Sequence, residues 1–101
     1  MSAKLDPDVV EVSKAVRQAL LELRIYQSTH PVKTARIQSV EALVADGALS
    51  PQTIARIANH QIRFHGFPSR IRQDIAVFDV ILAGRIPSLH VVGFADGHVE
   101  C

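Results

Sequence analysis

Ile75-Ala76-Val77-Phe78-Asp79-Val80-Ile81-Leu82-Ala83 is the most apolar run of the chain, interrupted by a single charge. Two periodicities fit it. Val77, Val80 and Ile81 are β-branched and suit a buried strand. Ile71, Ile75, Phe78 and Leu82 fall at helical spacing, with Val77, Val80 and Ile81 as a second apolar side. No breaker intervenes between Ser69 and Ala83, a length ordinary for a helix and long for a strand. The expectation is therefore a helix over 69–83, capped by Ser69, stopped by Gly84 and buried on two sides. Asp79 is expected to face solvent on a narrow polar stripe with Arg72 and Gln73, because burying an ion pair there is costly.

The preceding segments read as helices that coat this one. Asp6-Pro7-Asp8 is a helix start, with Asp6 as cap and Pro7 at the first helical position. Val9, Val12, Val16, Ala19, Leu23 and Tyr26 then follow alternating three- and four-residue steps, which predicts a helix over about 7–27 with one apolar seam. Pro31 opens a second helix, 31–46, with Ile37, Val40, Leu43 and Val44 inward and Gly47 at its end. Ser50-Pro51 opens a third, 51–65, with Ile54, Ile57, Ala58 and Ile62 on one side. That helix would also place Gln61 and His65 toward its apolar side. Gly66-Phe67-Pro68 ends it.

After Gly84 the pattern changes. Leu89 to Phe94 is strand-like, and Ala95-Asp96-Gly97-His98 is the strongest turn of the chain. A two-residue loop at Asp96-Gly97 would set Phe94 opposite Val99 and Val92 opposite Cys101, all on one face of a hairpin over 89–101. The expected fold is thus mostly α: a four-helix domain with a C-terminal β-hairpin, in one domain over 1–101.

The totals narrow the function classes. The chain has 101 residues and a hydrophobic share of 48%, enough for one core. Eleven Lys and Arg against ten Asp and Glu give a net charge of +1. Nucleic acid would then be held only by a local patch. No apolar run approaches the ~20 residues that span a bilayer. Met1-Ser2-Ala3-Lys4 leads into an acidic turn, so no signal peptide and a cytoplasmic location are expected. Cys101 is the only cysteine, which excludes an internal disulfide.

Few residues suggest chemistry. From Gly47 to Gln73 there is no acid, and Arg56, His60, Arg63, Arg70 and Arg72 form a candidate surface for phosphates or nucleic acid. The preferred reading is a solvated face paired with nearby acids. Helices two to four followed by a hairpin also outline a winged helix-turn-helix, with 69–83 entering the major groove and Asp96-Gly97 at the wing tip. His60 and His65 are five apart, poor spacing for one helix face, and no run has zinc-site spacing. No metal or cofactor is expected, and no nucleophile has a base fixed beside it, so no enzyme activity is expected.

The helix-one seam, the two-sided fourth helix and the hairpin all call for partners. A homodimer is expected, joined through Val9, Val12, Val16, Leu23 and Tyr26 of helix one or through Val92, Phe94 and Val99 of the hairpin. The functional expectation is a small non-enzymatic protein-interaction or regulatory module acting as a dimer. A winged-helix-like DNA-binding regulator is the alternative.

Overall fold

Asp6 starts the longest element of the molecule as its sequence implies. In the computed structural model, which describes residues 6–68 and 75–101, the Asp6 carboxylate accepts the Asp8 N–H at 3.0 Å and Pro7 takes the first helical position. The helix α1 runs Pro7–Thr29 and buries Val12, Ala15, Val16, Ala19, Leu20 and Leu23. Three short helices follow: α2 (Pro31–Arg36), α3 (Val40–Ala45) and α4 (Pro51–Ala55). Then come four strands, β1 (Gln61–Phe64), β2 (Ala76–Ile81), β3 (His90–Phe94) and β4 (Val99–Glu100). They form one antiparallel sheet in the order β1-β2-β3-β4.

This corrects the expectation of a mostly α four-helix domain. The apolar run over 75–83 contains the second strand of the sheet, Ala76–Ile81, and is not a two-sided helix. Phe78, Val80 and Leu82 are buried, while Asp79 and Ile81 alternate with them on the other face. A bulge between Ala76 and Phe78 lets the neighbours Val77 and Phe78 both turn inward, which imitates the two-sided pattern of a buried helix. The physical reason for the strand is pairing. With β1 on one edge and β3 on the other, β2 has ladder partners on both sides, and its β-branched residues pack on the pleat. The cap expected at Ser69, together with Ile71, Arg72 and Gln73, lies outside the described residues.

The third expected helix is corrected too. It stops at Ala55, and 61–64 pair with β2 as an edge strand. Ile62 and Phe64 point inward while Gln61 and Arg63 point out. The second expected helix is two helices, because Ile37 is extended (φ −77°, ψ 129°) and Ser39 caps α3 through its hydroxyl at 3.1 Å from the Ala42 N–H.

The molecule has two layers. The helix α1 lies across β3 and β4, where Gly93 makes room for it: a Cβ there would sit 2.5 Å from Val16 Cγ1 and 3.0 Å from Leu20 Cδ1. Ile37, Leu43, Leu49 and Ile57 from the helical half join Phe78, Val80 and Val91 in the same core. Tyr26 stacks on His30 at 4.3 Å where α1 gives way to α2.

Two polar clusters pin α1 at its flanks. Arg85, in the β2–β3 connection, binds Asp6 at 3.1 Å and Asp8 at 2.6 Å. The hydrogen bonds between Arg85 and Asp6 hold the Asp6 carboxyl below its ordinary range and the guanidinium above its own. Farther along, the Glu22 carboxylate accepts the Ser50 N–H at 2.9 Å, the Thr53 hydroxyl at 2.8 Å and the Gln18 amide at 2.9 Å. Burial pushes the Glu22 carboxyl up, but these hydrogen bonds outweigh it and hold the group below the usual glutamate value.

A group with a depressed folded pKa stabilises the fold fully above its unfolded value and loses that contribution as pH falls through the folded value. Glu22→Gln is therefore expected to cost about 1–2 kcal/mol at neutral pH. It should also flatten the acid limb of the stability profile below about pH 5. Chemical denaturation of both forms across the acid range checks this. An unchanged acid slope would assign the loss of stability to other carboxylates.

Candidate interaction surface

Only one face of the sheet meets α1. The other carries the alternate residues of each strand: Gln61 and Arg63 from β1, Asp79 and Ile81 from β2, His90, Val92 and Phe94 from β3, and Glu100 from β4, with His98 just before it. Ile81, Val92 and Phe94 are partly exposed and stand apart from the hydrophobic core. Among the described residues no element covers them.

The hairpin geometry sets this face. The Phe94 N–H donates to the His98 carbonyl at 2.9 Å, and the Gly97 N–H donates to the Phe94 carbonyl at 2.9 Å. The loop is thus three residues long, with Gly97 in the left-handed region at φ 99°. This corrects the expected two-residue loop. The one-residue change pairs Gly93 with Val99 and Val92 with Glu100. Since register slips of one invert the faces, Val99 turns toward α1, and Val92 and Phe94 remain on the open side.

Several polar groups on the open face are hydrogen-bonded to one another. Asp79 and His90 are 2.9 Å apart across β2 and β3. His98 stacks flat on Phe94, with centroids at 4.3 Å and planes at 3°. Its two ring nitrogens reach Asp96 and Glu100. The His98 N–H and ring lower the Asp96 carboxyl, and the hydrogen bond to Asp96 in turn raises the imidazole. The histidine's contribution is present below its ordinary value and fades as pH rises through the raised one. The aspartate's is present above the ordinary carboxylate value and is lost on acidification. A proton NMR titration is expected to find His98 with the more basic imidazole relative to a free histidine; a pKa below the free value would break the assigned Asp96 contact.

The residues singled out in the sequence do not gather as a helical stripe. Arg56 follows α4 and pairs with Glu11 of α1 at 2.8 Å. The His60 ring nitrogen Nδ1 accepts the Ala83 N–H at 3.0 Å. Arg63 stands on the open sheet face in register with Asp79. Arg70 and Arg72 lie outside the described residues. The segment expected to enter a DNA groove contributes β2 instead, which removes the basis of the winged-helix reading.

The expected dimer residues divide as well. Val12, Val16 and Leu23 are fully buried beneath the chain's own sheet, and Val9, Tyr26 and Val99 pack against the same core. Val92 and Phe94 alone of that set lie on the uncovered face.

No family model, curated protein or solved structure matches this chain. The geometry of the face therefore carries the functional reading. Sequence reasoning missed Ile81, His90 and Asp79 as members of one surface. The signal was the alternation of 78, 80 and 82 against 79 and 81, which the helical reading obscured. No helix among the described residues is long and apolar enough to cross a membrane.

Proposed function

We propose that the chain is a small non-enzymatic protein-interaction module that acts as a homodimer, two copies meeting through the open faces of their sheets. The observation that supports this is the apolar strip of Ile81, Val92 and Phe94 on a sheet that, among the described residues, is covered on the opposite side. Antiparallel sheets can leave one face to water, but such faces are then usually polar.

Charge favours a second copy as the occupant. Arg63, Asp79, Val92 and Glu100 form one cross-strand row from edge to edge. A twofold axis parallel to the strands, between β2 and β3, lays β1 of one copy over β4 of the other. Arg63 then faces the partner's acidic edge at Glu100, and the contact repeats by symmetry. Aligned packing of two sheets at about 30° is compatible with that arrangement.

Light scattering at micromolar concentration is expected to give twice the chain mass of 11.1 kDa. Phe94→Asp is expected to return the mass to that of one chain while leaving far-UV circular dichroism unchanged, because Phe94 stands outside the core. A wild-type mass of one chain would end the dimer reading.

A further inference from the structure

The outward side of α1 is unlike the rest of the surface. Val10, Lys14, Arg17, Leu21, Arg24 and Ser28 follow alternating four- and three-residue steps, so they form one stripe along the helix. Ile25 flanks it. Val10 is 43% exposed, Leu21 53% and Ile25 62%. Lys14, Arg17 and Arg24 are exposed between them.

The helix sorts its charges. Its three acids all have partners from the rest of the chain: Asp8 is bound by Arg85, Glu11 by Arg56, and Glu22 by Ser50 and Thr53. Its three bases all face out, and none of them enters an ion pair among the described residues. A trough beside the stripe runs between Lys14, Arg17, Leu21 and Arg24 and the hairpin turn at Asp96 and Gly97.

We infer that this stripe is a docking ridge for an acidic amphipathic helix of a partner protein. Its apolar residues would meet Val10, Leu21 and Ile25, and its carboxylates would flank Lys14, Arg17 and Arg24. The charge pattern selects this occupant. A second copy of α1 would set like charges against each other in either orientation, which is destabilising. Nucleic acid would leave the three aliphatics without a contact, and the net charge of +1 supplies no long-range attraction to it. A membrane-surface helix inserts its large apolar side, but that side of α1 is already buried in the core. The inference rests on the reading of the chain as an interaction module and not on sheet-to-sheet pairing, which leaves α1 on the outer side of each copy.

The test uses the full chain and a fluorescein-labelled peptide of roughly 18 residues, long enough to follow the stripe at about 1.5 Å per residue. It carries leucine at heptad a and d positions and glutamate beside them. A second peptide has lysine for each glutamate. Fluorescence anisotropy is expected to show the glutamate peptide binding at least about tenfold more tightly than the lysine peptide. Leu21→Ser should weaken it by about tenfold or more. Arg17→Glu combined with Arg24→Glu should reverse the preference between the peptides.

Equal binding of the two peptides, or a preference that survives the double charge reversal, would overturn the inference. So would tighter association with phosphatidylserine vesicles or duplex DNA than with the glutamate peptide. All substituted residues are exposed, and circular dichroism checks that the variants fold. Light scattering on the same samples separates the two proposals. One-chain mass with intact peptide preference refutes only the sheet dimer, and dimer mass without the preference refutes only the docking ridge.

Discussion

Phe78→Ala is expected to lower the unfolding free energy by about 3–5 kcal/mol. The side chain is 1% exposed and is the largest fully buried one among the described residues. It stands in the middle of an inward cross-strand row, between Phe64 on β1 and Gly93 on β3. Its ring lies 5.3 Å from that of Phe64, tilted by 38°, a favourable arrangement for two aromatic rings. Its other neighbour in the row, Gly93, carries no side chain, and Val16 and Leu20 of α1 occupy the space there. Truncation leaves a cavity bounded by a sheet on one side and the helical layer on the other, with little freedom to collapse. A domain of this size has a total stability of about 5–15 kcal/mol, so the loss is a large fraction of it. Urea denaturation measures it directly. A loss under about 1.5 kcal/mol would mean that Phe78 does not occupy the central position assigned to it.

Gly93→Ala is expected to cost about 2–3 kcal/mol, toward the upper end for added volume in a packed core. The new methyl would stand 2.5 Å from Val16 Cγ1 and 3.0 Å from Leu20 Cδ1. Both side chains are buried on α1, and a valine in a helix has essentially one rotamer, so it cannot swing aside. Either α1 lifts from β3 or the sheet bends away. Val16→Ala in the same chain removes the obstructing methyls, and the double variant is expected to be more stable than the sum of the two single losses by about 1 kcal/mol or more. Strict additivity would show that α1 does not press on the sheet at Gly93. Gly93 is also a β3 residue in a strand that would otherwise favour a larger side chain. Its presence there is explained by close approach of the helix, not by backbone conformation.

How much of this was legible from the chain differs by element. The start of α1 was, because Asp6 and Pro7 act through local geometry alone and the apolar seam repeats for many turns. So was the existence of the 95–98 turn, although its length was not. Two- and three-residue loops both use an Asp-Gly pair, and the choice between them sets the register of the strand that follows. The readings of 51–65 and 69–83 as helices went wrong for a shared reason. Short apolar runs satisfy both periods: start and stop residues favour a helix over 51–65, and unbroken length favours one over 69–83. The misfit of Gln61 and His65 on an apolar helix side was the available warning: as part of an edge strand, Gln61 faces outward without conflict.

The candidate surfaces follow the same division. Val92 and Phe94 were identifiable as hairpin residues, but their pairing with Asp79 and Ile81 depends on β2 being a strand. The outward stripe of α1 is present in the sequence as a second period beneath the stronger core seam. Its meaning depends on where Asp8, Glu11 and Glu22 turn, and their partners Arg85, Arg56, Ser50 and Thr53 are distant along the chain.

Local chemistry, by itself, determined a long amphipathic N-terminal helix, the positions of the main chain reversals and a C-terminal hairpin. Those features depend on side chains and backbone within a few residues of one another. Tertiary structure alone decided that Ala76–Ile81 is extended, that Gln61–Phe64 pairs with it, and that one face of the resulting sheet is left uncovered among the described residues. A strand obtains its hydrogen bonds from other strands, so its identity is a property of the partners that reach it and not of the segment itself.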